Sequence, residues 1–135
     1  MKTITYSEAA EAFSISPYIY HVATPELKPE DVDSRMYPIL KSINASQWVV
    51  TLFSCQHKGA YICMATKEVA QLLDCWNSAY GDTIVKSHNK IPSPATVKYW
   101  NGIYQVSIYA PEVELDSKIR LFRTLGLYIK KTRRF

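Results

Sequence analysis

Hydrophobic positions along this chain follow two rhythms. Between Gln47 and Tyr80 an apolar run alternates like a strand, breaks at a short polar turn, alternates again, and then changes to helical spacing. In the first segment, Gln47 to Ser54, Trp48, Val50 and Leu52 point one way and Val49, Thr51 and Phe53 the other. Both sides are apolar, which predicts a central strand with cover on both faces. The second segment, Ala60 to Ala65, sends Ala60, Ile62 and Met64 to one face and Tyr61, Cys63 and Ala65 to the other. The connection is short and contains Gly59, so an antiparallel hairpin is expected. Thr66 is then placed to cap a helix. Val69, Leu72, Leu73, Trp76 and Tyr80 share one helical face, and Gly81 stands where a left-handed cap belongs.

A second hairpin is the clearest local signal. Thr96 to Trp100 and Ile103 to Tyr109 flank Asn101-Gly102, which suits a two-residue type I′ turn because both central residues need positive φ. That turn puts Tyr99 opposite Tyr104 and Val97 opposite Val106 on one face, with Lys98, Gln105, Thr96 and Ser107 on a wet one. Elsewhere the pattern predicts a short helix over residues 7–14 capped by Ser7 and a strand over Tyr18 to Val22. A helix on Met36, Ile39, Leu40 and Ile43 should be kinked by Pro38, and Asp82 to Ser87 reads as a short strand. A last helix begins at Glu114 or Asp116 and buries Leu115, Ile119, Phe122, Leu125 and Ile129. Gly126 inside it costs about 1 kcal/mol relative to Ala, for which close packing against a neighbour is the usual reason. The elements sum to one α+β domain over residues 1–135: a mainly antiparallel sheet of five to six strands, with two long helices packed on one face.

Composition narrows the functional classes. Apolar residues are 47% and charged residues 21% of the 135, ordinary for a soluble domain with its own core. Only four glycines are present, and no Walker, Rossmann or nucleophile-elbow pattern occurs. No cofactor is therefore expected. The three cysteines make no even framework, the N-terminal residues lack an apolar leader core, and no apolar run reaches the roughly 20 residues of a membrane span. A reduced, cytoplasmic setting without membrane contact is the expectation. Charge is unevenly placed. Residues 1–85 hold six basic and nine acidic side chains, and residues 86–135 hold ten and three.

That excess concentrates on the last helix. Arg120, Arg123, Lys130, Lys131 and Arg134 recur at helical spacing, interrupted by Leu127, with Arg133 next to the last of them. A solvated helix face is the plain reading of such a run. The sharper one is a footprint for phosphates or for an acidic protein. Lys98 and Trp100, with Tyr109, add candidate stacking groups, and His88 opens a polar loop to Pro94 that suits a binding role. Cys55 and His57 form the one close Cys–His pair. A catalytic thiolate needs a neighbouring base and a third orienting group, and no third group is assignable. Without a Cys-x-x-Cys or a spaced His pair, no metal site is expected. The acidic clusters at Glu30, Asp31 and Asp33, and at Glu112, Glu114 and Asp116, are explained by helix starts.

The segment Thr51-Leu52-Phe53-Ser54-Cys55-Gln56-His57, re-entering as Gly59-Ala60-Tyr61-Ile62, resembles one found in a recurring type of small phage-encoded protein. Those proteins carry a strand, then Ser-Cys-x-Gly-His, then a strand and a helix. The likeness covers about residues 40–80. Here the glycine before His is missing and Gly59 follows two residues after it. The resemblance implies a viral accessory protein acting in the host cytoplasm by blocking a host protein or nucleoprotein complex that handles nucleic acid or serves defence. The expectation is thus a non-enzymatic binding protein. Direct nucleic-acid or nucleotide binding through the basic helix is the alternative, and a small enzyme using Cys55 and His57 a third reading.

Overall fold

The computed structural model describes residues 1–13, 34–56, 59–89 and 95–132. In chain order these form α1 (Tyr6–Ala12), α2 (Tyr37–Asn44), β1 (Val49–Cys55), β2 (Tyr61–Thr66) and α3 (Val69–Tyr80). A π-helical segment (Gly81–Val85) carries α3 into α4 (Lys86–His88). β3 (Thr96–Trp100), β4 (Ile103–Tyr109) and α5 (Leu115–Thr132) follow. The strands make one antiparallel sheet in the order β1-β2-β4-β3, so β1 and β3 are its edges.

Both predicted hairpins form. In the β3–β4 hairpin, Asn101 and Gly102 have φ of 52° and 86°, and Tyr99 pairs with Tyr104 and Val97 with Val106. The alternation in β1 is broken by a β-bulge between Thr51 and Phe53. An extra residue there turns Leu52 and Phe53 toward the same face, which strict alternation had separated.

The α+β class holds, but the sheet has four strands among the described residues, not five to six. Asp82 to Ser87, expected as a strand, is helical: Gly81 stays right-handed at φ −59°, and the left-handed residue that ends the rod is Asn89 at φ 51°. Thr83 and Ile84 are buried in this segment, which packs against α5, and Thr83 Oγ1 donates to the Ala79 carbonyl at 2.7 Å, four residues back. Packing overrides the strand preference of a β-branched run. The expected strand at Tyr18 to Val22 lies outside the described residues.

The helical layer also differs from two long helices on one face. Val49, Ile62, Met64, Val106 and Ile108 meet α2 as well as α3 and α5 in the larger core. On the opposite face Val50, Leu52, Cys63, Ala65 and Ile103 pack with Ile4 and with Ala9 of α1. The sheet is apolar on both sides near β1 and β2, so both sides need cover. Trp48, fully buried, ties β1 to the last helix through Nε1, which donates to the Ile129 carbonyl at 3.2 Å.

Helix starts moved by small steps with clear causes. Thr5, rather than Ser7, caps α1: its side chain accepts from the Glu8 amide while Glu8 reaches back, a capping box. Pro38 lies in the first turn of α2, where its missing N–H has no partner to lose, so it opens the helix instead of kinking it. Thr66 Oγ1 donates to the Trp48 carbonyl and accepts from Glu68 N, one turn ahead of α3.

Candidate functional site

α5 divides its surface between core and solvent. Ile119, Leu121, Phe122, Leu125 and Ile129 are buried. Arg120, Arg123, Leu127, Lys130 and Lys131 are exposed along the outer side, with Leu127 half exposed at 50%. The leucine that interrupts the basic stripe in the sequence therefore sits within it in space. Arg123 and Lys130 make no hydrogen bond or ion pair among the described residues. Lys131 lies over the Tyr128 ring, 5.9 Å from its centroid.

The N-terminal half of this face borders an open groove of about 560 Å³. Arg35, Ser87 and His88 line one side, and Glu114, Asp116, Ser117, Arg120 and Arg123 the other. Arg35 Nη1 bonds Asp116 Oδ1 at 2.8 Å, and Arg120 Nη2 donates to Ser87 Oγ at 3.3 Å. His88 comes within 3.2 Å of Glu114 Oε1 through Nε2, while its Nδ1 is buried with no partner among the described residues. The groove thus mixes three guanidinium groups and an imidazole with two carboxylates.

Electrostatics within it centre on Glu114. The Ser117 hydroxyl donates to its carboxylate, and this bond, helped by a backbone amide and by His88, holds the carboxyl down at about 2. The arrangement closes the first turn of α5, where a negative charge is favourable. Further along, the Tyr128 hydroxyl donates to Asp82, which lowers the Asp82 carboxyl, and Lys86 and Lys131 add to the effect. These contacts clamp α5 to the α3–α4 rod.

Of the residues expected from sequence, His88, Arg120 and Arg123 share the groove, and Lys130 and Lys131 continue the same face. Lys98 and Trp100 do not join them. They alternate with Val97 and Tyr99 and point to the sheet face away from α5, on a strand exposed at every position. Arg134, Arg133, His57 and the Cys55 side chain lie outside the described residues, as does most of the expected loop to Pro94. Among the described residues no three His, Cys, Asp or Glu side chains converge as metal ligands. No described helix is long and apolar enough to cross a membrane. Cys75, buried and 3.3 Å from Thr132 Oγ1, has its thiol pushed up by burial, the opposite of an activated nucleophile.

Arg35, Ser87, Glu114, Asp116 and Ser117 are the groove members that sequence reasoning missed as site residues. Arg35 and Asp116 are 81 residues apart, and no local pattern joins them. The arrangement offers charge-assisted hydrogen bonds from its arginines beside two carboxylates. No family model, curated protein or solved structure matches the chain.

Proposed function

We propose that the protein is a non-catalytic binding factor whose exposed α5 face docks on an acidic protein surface. The observation that carries this reading is the ring of Arg123, Lys130 and Lys131 around the half-exposed Leu127, with Arg123 and Lys130 unpaired among the described residues. Arg123 beside an exposed apolar side chain offers a charge-assisted donor next to a contact that loses water on docking, and the lysines make a polar rim that steers an acidic partner. Glu114 and Asp116 in the adjoining groove disfavour a polyanionic duplex there, since each would face phosphate. The same acids give a protein partner a place for its own basic side chain, and so a register.

The setting proposed for this activity is that of a viral accessory protein in the host cytoplasm, occupying a host complex that handles nucleic acid or serves defence. Its support is the likeness of the β1–β2–α3 segment described above. The test replaces Arg120, Arg123, Lys130 and Lys131 together with Glu and compares capture of partners from host lysate at low and high salt. Capture that is salt-sensitive in the parent and lost in the variant, with the far-ultraviolet spectrum unchanged, is the expected result. A variant that captures the same partner as well as the parent refutes the reading. Loss of oligonucleotide binding in place of protein capture would shift it to direct nucleic-acid binding through α5.

A further inference from the structure

The second exposed surface lies on the other side of the sheet and has different chemistry. α1 covers this face over β1 and β2, where Val50, Leu52, Cys63 and Ala65 are buried. Over β4 and β3 no described element continues that cover. Tyr109 is 42% and Trp100 62% exposed, and Lys98 is exposed between them. Register fixes their arrangement. Tyr109 pairs with Tyr61, Lys98 with Gln105, and Trp100 with Ile103, all with the parity that faces away from α5. The strip therefore has an aromatic ring at each end and polar groups in the middle. From Ile103 to Tyr109 it runs about 20 Å at about 3.4 Å per residue. That is the length of about six stacked nucleotides at a rise of about 3.4 Å.

We propose that this open half of the sheet binds single-stranded RNA, with Tyr109 and Trp100 stacking on bases and Lys98 and Gln105 meeting the backbone between them. Three observations select this occupant. Among the described residues the strip holds one cation and no carboxylate, in contrast to the mixed groove beside α5, so it suits a phosphate chain. Its aromatic groups stand on strands of a sheet, which fixes their spacing, and the Tyr109 ring lies 6.0 Å from the Tyr61 ring, which braces it. Gln105 donates its amide to Cys63 Sγ at 3.1 Å, and its carbonyl oxygen accepts no hydrogen bond among the described residues. A ribose 2′-hydroxyl can donate to that oxygen and deoxyribose cannot, which favours RNA over DNA. This surface shares no residue with the α5 face, so it stands independently of the protein-docking reading.

The test is fluorescence anisotropy with labelled eight-nucleotide oligouridine and its deoxy counterpart, read together with tryptophan emission. Trp48 and Trp76 are buried, so quenching on binding reports Trp100. The RNA should bind more tightly than the DNA and quench the emission. Trp100→Ala and Tyr109→Ala should each weaken binding by about tenfold or more, while Tyr109→Phe keeps the stack and most of the affinity. Gln105→Leu should erase the preference for RNA. The α5 variant with four glutamates should bind RNA like the parent. No RNA binding at low salt overturns the proposal, as does binding that survives Trp100→Ala or is lost with the α5 variant. Equal affinity for DNA overturns the choice of RNA. A dimer that dissociates on Trp100→Ala, with no RNA bound, would make a second copy of the chain the occupant and overturn it too.

Discussion

Asn44 should be worth more to this fold than any surface charge. It is the last residue of α2, and its side chain reaches the edge strand β1. Oδ1 accepts from the Thr51 amide at 2.8 Å, and Nδ2 donates to Thr51 Oγ1 at 2.9 Å and to the Leu40 carbonyl at 2.9 Å. Thr51 is fully buried, so water cannot replace the lost partner. Asn44→Ala strands the amide at a cost of about 1–3 kcal/mol and removes a bond to the hydroxyl worth about 1 kcal/mol. Alanine returns about 0.5 kcal/mol of helix propensity. The net loss is about 2–3 kcal/mol, a large part of the roughly 5–15 kcal/mol that holds a domain together. Urea unfolding reads it directly. With a slope near 2 kcal/mol per molar, about the middle of the usual range, the midpoint should fall by about 1–1.5 M at unchanged slope. Asn44→Asp keeps the acceptor for the amide but lacks the donor, and should fall between the two. In the double variant with Thr51→Val the losses should not add, because the two side chains share one bond. A midpoint shift under about 0.3 M for Asn44→Ala would refute this accounting.

Two further outcomes follow from the structure. The Glu114 carboxyl sits at about 2 in the folded protein against an ordinary 4.5. A carboxyl depressed by folding adds stability that is present above its unfolded value and lost as pH falls through its folded one. Glu114→Gln should therefore flatten the dependence of the urea midpoint on pH between about 4.5 and 2, and an unchanged slope there would refute the role of Ser117. Gly126 is buried on α5 beside α2, yet an added Cβ would lie 3.8 Å from Ile43 Cγ1 and 4.0 Å from the Ile39 carbonyl, ordinary contact distances. Gly126→Ala should stabilise the protein by about 0.5–1 kcal/mol, visible as a higher thermal midpoint; destabilisation would mean that the helix pair tolerates no extra methyl group.

What was legible in the sequence was local. The Asn101-Gly102 turn, the facing pairs of its hairpin, the β1–β2 hairpin and the burial of Ile119, Phe122, Leu125 and Ile129 on α5 follow from period and turn chemistry, whereas Leu115, expected on that buried face, is 40% exposed at the first residue of the helix. The misread strand at Asp82 to Ser87 shows the limit. Thr83, Ile84 and Val85 carry a strand preference, but burial against α5 and the Thr83 bond to Ala79 are tertiary facts. The bulge in β1 is similar: nothing in Val49 to Phe53 marks where the alternation slips. For the candidate site, the stripe on α5 was readable because 3.6-residue spacing is local. The groove was not. It needs Arg35 and Asp116 brought together by the packing of α2 on α5. Lys98 and Trp100 looked like partners of that stripe, until the sheet separated them by putting α5 on the other face.

That separation has a consequence for how the two surfaces work together. β3 is exposed along its full length, though Val97, Tyr99 and Trp100 are large and apolar. A bare edge of this kind invites pairing with another chain, and the central Lys98 opposes it, because two copies aligned antiparallel about that position would set lysine against lysine. The fold alone gives no reason to keep those rings in water. α5, by contrast, must bury one side and is free to charge the other. Since the two exposed regions lie on opposite sides of the sheet and share no side chain, occupants of each do not compete. Their binding free energies should add, as for distant independent sites. Coupling between them would require the core that Val106, Ile108, Phe122 and Leu125 share, all fully buried, to adopt a second packing. If both proposals hold, a protein on α5 and a single strand on the sheet should be held at once, and RNA affinity measured with and without the captured partner should be unchanged.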